Sequence, residues 1–333
     1  MSILLKLIIG SFTVAACAGQ AVPGQHIATI SPVRKSYVEG EPIDLTLTLR
    51  NESDTSATIE SLYGRGVITF TAHGSTIPRE RDVFDRLLAQ QGRPRGRGAA
   101  WEAGGLSRLN GVEPRRSWSD KILLQDFVGA PGPGECDLNF TIDIPARPRG
   151  GQQLGAPFRG SGAFKITIVK GTDAELSNAL ARHARPGDDY WSGQSMSAGV
   201  VLVKSPVVVP YLTRIAAGGD VKPILAMARF PGHHDAEAFV IEKLTSEDGR
   251  EVLGSLAVLQ EWKYVLPEHE VRRLLNLPNA LSAVRVGAIL YAASRPGDIY
   301  GTQVRALAND PDARVAAVAA RAYEVKATDR TAK

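Results

Sequence analysis

The spacing of apolar residues changes once along this chain, and that change limits it to a mixed architecture. Residues 43–49 alternate strictly, with Ile43, Leu45, Leu47 and Leu49 on one side and Asp44, Thr46 and Thr48 on the other. That is the period of a half-buried strand. From Asp235 onward apolar residues recur every three to four positions, the period of a helix packed on one face. At 333 residues the chain exceeds the size at which one core usually stops growing. The expectation is a mixed, two-domain protein: an antiparallel β-sandwich followed by an α-helical array.

Turn-like residues bracket the alternating strand, with Glu39-Gly40-Glu41-Pro42 before it and Asn51-Glu52-Ser53-Asp54 after it. Weaker strand patterns occupy residues 27–33, 57–62, 67–71, 121–127, 138–144 and 164–169. Seven short strands separated by Gly, Pro and Asn turns predict a sandwich. The Gly40-Glu41-Pro42 turn, the strand ending before Asn51 and the late Gly162-Ala163-Phe164-Lys165-Ile166 run together resemble immunoglobulin-like modules of bacterial envelope proteins. The likeness covers residues 25–170 and speaks to fold rather than activity. No Cys…Trp…Cys core is present, so an antibody-type domain is not indicated.

An insertion at residues 78–116 interrupts the strand spacing. It predicts a helix over 79–91 with Val83, Phe84, Leu87 and Leu88 on its apolar face. Arg93, Arg95 and Arg97 follow among Gly and Pro, and with Arg115 and Arg116 they form the most basic stretch. Solvated loop residues would look like this. So would a patch for anionic lipid or envelope polymer, at roughly 1 kcal/mol per basic group near an anionic membrane. A net charge of +4 is too weak a bias to imply nucleic acid.

Residues 171–234 form a connecting region. A helix is expected over 173–182 with Leu176, Ala179 and Leu180 on one side, and another over 221–230. Residues 200–203 and 207–209 read as strands returning to the sandwich. Between the 173–182 helix and residue 200, Asp188, Asp189, Tyr190 and Trp191 lie in a polar turn and are weak interface candidates.

Six helices are expected at 235–325: an initial one carrying Ala236, Phe239, Val240 and Leu244, then 251–262, 268–275, 281–293, 300–307 and 311–323. The second members of successive pairs resemble one another. Leu253-Gly254-Ser255-Leu256-Ala257 aligns with Val286-Gly287-Ala288-Ile289-Leu290 and with Val315-Ala316-Ala317-Val318-Ala319, at offsets of 33 and 29 residues. Small central residues let neighbouring helices approach, and stacked pairs bury a core that no pair buries alone. Asp310-Pro311-Asp312-Ala313-Arg314-Val315 and the alanines after it resemble the inter-helix turn and second helix of HEAT-type repeats. That resemblance implies a binding surface or scaffold and carries no catalytic residue.

The leader supplies an address. Residues 1–16 are short and mostly apolar, too few to cross a hydrocarbon core of about 30 Å comfortably, and read as an export signal. Val14-Ala15-Ala16-Cys17 resembles a bacterial lipoprotein leader, in which the cysteine becomes the lipid-bearing first mature residue. Ala18 after it then implies sorting to the outer membrane. Ala16-Cys17-Ala18 also fits ordinary cleavage after Ala18, which would discard the cysteine and leave a soluble periplasmic or secreted chain.

Catalytic signals are sparse. The six histidines make no His-x-x-x-His pair and none stands near a cysteine, so neither a metal nor another cofactor is expected. His26 reads as solvated ahead of the first strand, His233-His234 as a turn entering a helix, and Cys136 as a buried thiol. No Gly-x-Ser-x-Gly elbow or phosphate-binding loop occurs. The expected function is non-enzymatic binding or scaffolding in the cell envelope through an envelope protein partner, without nucleic acid. The alternative is an envelope hydrolase or glycan-processing accessory with its site between the 186–193 loop and the helical array.

Overall fold

The computed structural model describes residues 26–59, 67–72, 75–76, 81–91, 111–148, 155–183, 197–216, 220–295 and 299–331. The architecture is mixed: a sheet-rich amino-terminal region precedes a carboxy-terminal part of ten helices among the described residues.

The strands are β1 (His26–Pro32), β2 (Ser36–Val38), β3 (Asp44–Arg50), β4 (Ala57–Ile59), β5 (Ile68–Ala72), β6 (Ser75–Thr76), β7 (Gly111–Val112), β8 (Ser117–Leu123), β9 (Gly134–Ile144), β10 (Ala146–Pro148) and β11 (Phe158–Val169). The larger sheet runs β6-β5-β9-β11-β1-β3-β8, with β2 also on β11, and a second sheet runs β10-β4-β7. Most pairs are antiparallel, but β1 and β2 both lie parallel to β11. The alternation read in the sequence holds in β3, where Leu45, Leu47 and Leu49 are buried and Thr46 and Thr48 half-buried. In β9 Cys136, Leu138, Phe140, Ile142 and Ile144 turn inward in the same way.

Two strands are longer than their patterns predict. β11 begins at Phe158 rather than near Phe164 and pairs with β9 from Phe158↔Ile144 to Ile168↔Gly134. Its Arg-Gly-Ser-Gly run is also strand, and Gly160 there admits a neighbouring backbone. A Cβ there would stand 1.8 Å from the Ala28 carbonyl oxygen of β1. Residues 121–127 divide instead, with β8 ending at Leu123 and a 3-10 turn over Leu124–Asp126.

In the insertion, α1 (Val83–Gln91) replaces the expected helix over 79–91. The carboxy-terminal helices are α2 (Asp173–His183), α3 (Ser197–Val200), α4 (Val209–Ala216), α5 (Lys222–Ala226), α6 (His234–Glu242), α7 (Gly249–Glu261), α8 (Glu268–Leu275), α9 (Ser282–Ala293), α10 (Gly301–Ala306) and α11 (Ala313–Thr331). Residues 200–203 and 207–209 are not strands. Ser205 accepts a hydrogen bond from the Val207 N–H, Pro206 opens a 3-10 turn, and Val209 begins α4. A short valine-rich run cannot by periodicity alone separate a buried strand from a buried helix. Proline in a first helical turn, where its missing N–H has no partner to lose, fits the helical outcome.

One apolar core extends from Leu176 and Leu180 through Leu212, Leu225, Val240, Leu259, Leu274 and Ile289 to Val315 and Ala319. Phe84 and Leu87 of α1 belong to that core, although they come from the amino-terminal part of the chain. The aligned glycines do as their size suggests. A Cβ on Gly254 would meet Val221 at 2.6 Å, and one on Gly287 would meet Leu253 at 2.5 Å. In α11 the inward residues are Val315 and Ala319, while Ala316 is half-buried and Ala317 exposed. No single helix among the described residues is long and apolar enough to cross a membrane.

Candidate functional site

Two places concentrate polar chemistry. The first is the joint between the sheet and α2. Gly40, at φ +83°, turns the chain so that Glu41 points inward. The Glu41 side chain is fully enclosed. Arg34 donates to its Oε1, Arg182 lies 3.4 Å and His183 Nε2 3.2 Å from that oxygen, and the Val38 N–H donates to Oε2 at 2.9 Å. The other His183 nitrogen, Nδ1, lies 3.5 Å from Asp44 Oδ2. Tyr37 donates to the Asp44 carbonyl at 2.8 Å, and burial pushes its phenol up to about 12. Burial alone would raise the Glu41 carboxyl, but the hydrogen bonds from His183, Arg34 and Val38, with the Arg34 charge, hold it at about 2. Each of these partners of the Glu41 carboxylate is a donor or cation, and the carboxylate has no exposed surface. The constellation holds the strand region and α2 together.

The second place is an open cleft of about 590 Å³ at the carboxyl ends of α7 and α9, lined by Gln260, Glu261, Lys263, Val265, Ala293, Ser294 and Arg295. Arg295 is buried and donates to the main-chain oxygens of Gln260 at 3.2 Å and Tyr264 at 3.0 Å. Its guanidinium lies 4.6 Å over the Tyr291 ring. A cation satisfying the carbonyl ends of helices is a favourable arrangement. Tyr291 donates to the Tyr264 carbonyl at 2.5 Å and accepts the Leu266 N–H at 2.9 Å. Tyr300 donates to the Leu266 carbonyl at 2.5 Å. These bonds fix the cleft wall, while Val265 stands 53 % exposed at the cleft. Lys263 takes the left-handed conformation that ends α7, at φ 55°. On the neighbouring edge Arg86 of α1 pairs with Glu261.

A third polar link joins successive helix pairs. Arg285 of α9 donates to the Leu275 carbonyl at 2.8 Å and forms a buried ion pair with Asp310, ahead of α11. The hydrogen bond from Arg285 holds the Asp310 carboxyl below its ordinary range.

The candidate residues named from the sequence fare unequally. Cys17, Arg93, Arg95, Arg97, Asp188, Asp189, Tyr190 and Trp191 lie outside the described residues. Arg115, in a left-handed turn, is exposed and paired with Asp54 at 3.0 Å, and Arg116 is exposed beside it. Cys136 is buried, and burial pushes its thiol up. His233 precedes α6 and His269 opens α8 in the open. His26 departs from expectation. It is buried at the start of β1 and stacked on Phe158 at 4.6 Å, and burial holds its imidazole below the usual range. Its pairing with Phe158 across parallel strands explains this.

Among the described residues, no group of three His, Cys, Asp or Glu side chains is placed to hold a metal ion. Sequence reasoning missed the Glu41–His183 contact, for which the only local signals were the Gly-Glu-Pro turn and a histidine at a helix end. No known protein-family model matches this chain, and no curated protein sequence matches it.

Proposed function

We propose that this chain is an exported envelope protein, lipid-anchored through Cys17 to the outer membrane and facing the periplasm, that binds an envelope protein partner without catalysing a reaction. The amino-terminal region is then an immunoglobulin-like module, a reading supported by β1 and β2 running parallel to β11 amid antiparallel pairs. The carboxy-terminal part is a HEAT-type array. The observation that carries this reading is the repeated seating of helices on Gly254 and Gly287, 33 residues apart, with Arg285 and Asp310 tying the next pair on. Stacked helix pairs of this kind serve as extended binding surfaces, and the α7–α9 cleft lies on this one.

Two measurements test the proposal. The intact mass of the mature chain should show a lipid adduct beginning at Cys17, and an unmodified start at Gly19 would remove the anchor. Crosslinking in the native envelope should recover a defined protein partner that is lost when cleft residues Val265 and Lys263 are replaced. Recovery of bulk membrane material alone would count against the binding function.

A further inference from the structure

The helix α1 sits on the helical region in the manner of a bound peptide. It leaves the sheet region after β6, and its apolar residues Phe84 and Leu87 are buried in the core of α2–α11. It packs against α5 and the 3-10 turn Met227–Arg229. Its ends carry the signals of an autonomous helix start. Asp82 accepts the Asp85 N–H at 3.2 Å, and Asp85 accepts the Asp82 N–H at 3.3 Å, a reciprocal cap. Yet nine residues are too few for a helix to persist alone in water, so its order depends on the seat.

The seat reads this helix at four points. Arg229, whose side chain is only 7 % exposed, pairs with Asp82 at 2.6 Å, and its guanidinium lies 4.6 Å over the Phe84 ring. The same guanidinium is oriented by the Val201 carbonyl. Glu261 takes Arg86, and the apolar core takes Leu87. The seat therefore matches a carboxylate at the cap, an aromatic ring two residues later, an arginine four later and a leucine five later. Within it Phe84, Leu87 and Leu88, at i, i+3 and i+4, take the anchor spacing of an amphipathic helix lying in a groove. Glu261 also lines the open cleft, so the seat and the cleft share a wall.

From this we infer that the α5–α7 surface is a helix-binding groove, that α1 is its internal occupant, and that the external partner is an amphipathic helix of the same chemistry which enters when α1 leaves. The inference rests on the proposed binding function and names the partner class for it. Undocking α1 exposes the groove, so α1 also restrains the interaction.

Amide hydrogen exchange on the full unaltered chain gives the first test. Residues 83–91 should exchange at least 100-fold faster than residues 252–259 of α7, as a separately opening unit does. Equal exchange would make α1 a fixed part of the core and overturn the inference. The second test titrates a fluorescein-labelled peptide with the sequence of residues 82–91 against the unaltered chain and against the full-length variant Phe84→Ala/Leu87→Ala. The variant should bind at least 10-fold more tightly, and adding Arg229→Ala should abolish the gain. A folded variant that binds no better than the unaltered chain would refute the groove. A chain that captures a defined envelope partner yet fails both tests keeps the proposed function and loses only the helix groove.

Discussion

Glu41 and His183, 142 residues apart in sequence, meet at 3.2 Å inside the joint between the sheet and the helices. Glu41 ionises near 2, below the ordinary 4.5. Its charged form therefore favours the fold above about pH 4.5, and that contribution is withdrawn as the pH falls toward 2. The difference is worth roughly 3 kcal/mol. Denaturant melts of the unaltered chain and of Glu41→Gln should differ by about this amount at pH 7 and converge by about pH 2. Parallel acid profiles would contradict the assignment.

Gly160→Ala should be among the most damaging single substitutions in the sheet region. The added methyl would meet the Ala28 main chain, which cannot step aside without breaking the β1–β11 contact. A loss above roughly 3 kcal/mol is expected. Gly132→Ala, where the new Cβ meets nothing within 4 Å, serves as the control and should leave the melting temperature within about a degree.

Gly254→Ala and Gly287→Ala should each cost about 1–3 kcal/mol through overpacking. Their neighbours are side chains rather than backbone, Val221 in one case and Leu253 in the other. Combining Gly287→Ala with Leu253→Ala should therefore cost less than the sum of the two single changes, as a double-mutant cycle by chemical denaturation would show. Strict additivity would mean that the two sites do not touch.

Lys263→Gly should stabilise the chain by about 0.5–1 kcal/mol, since the backbone at this position already has φ 55° and glycine adopts that conformation without strain. Equilibrium unfolding in urea reads this directly. A destabilised variant would assign the lysine side chain a role in the α7 ending that its exposed position does not suggest.

Cys136 should resist thiol reagents in the folded chain and react once the chain is unfolded. It is buried and its thiol is held above the usual range by that burial. A Cys17→Ser background leaves it as the one thiol to count. Labelling of the native protein at the rate of the unfolded one would mean that β9 opens at its start.

Local patterns made much of the framework legible. β3 and α8 lie within one residue of where periodicity puts them, because each has one wet face and one dry face. Patterns failed where burial is two-sided or a contact is distant. The valines around 207 are apolar all round, so no period distinguished strand from helix. The Gly-rich start of β11 fell outside the expected strand because the reason for its glycine lies on β1, 132 positions earlier than Gly160 at Ala28. His26 looked solvated because nothing beside it in sequence announces Phe158. The joint at Glu41 and the seat of α1 are products of folding rather than of local sequence, and only their individual residues could be read beforehand.

The seat of α1 also sets an order in time. Arg229 follows Asp82 by 147 residues, and Glu261 follows Arg86 by 175. A chain that emerges amino end first therefore presents Phe84 and Leu87 well before the residues that seat them. The strands that flank α1 find one another across shorter stretches of chain. Assembly therefore runs from the sheet outward, and the latch that ties the sheet region to the helices closes among the last contacts, after α7 has emerged.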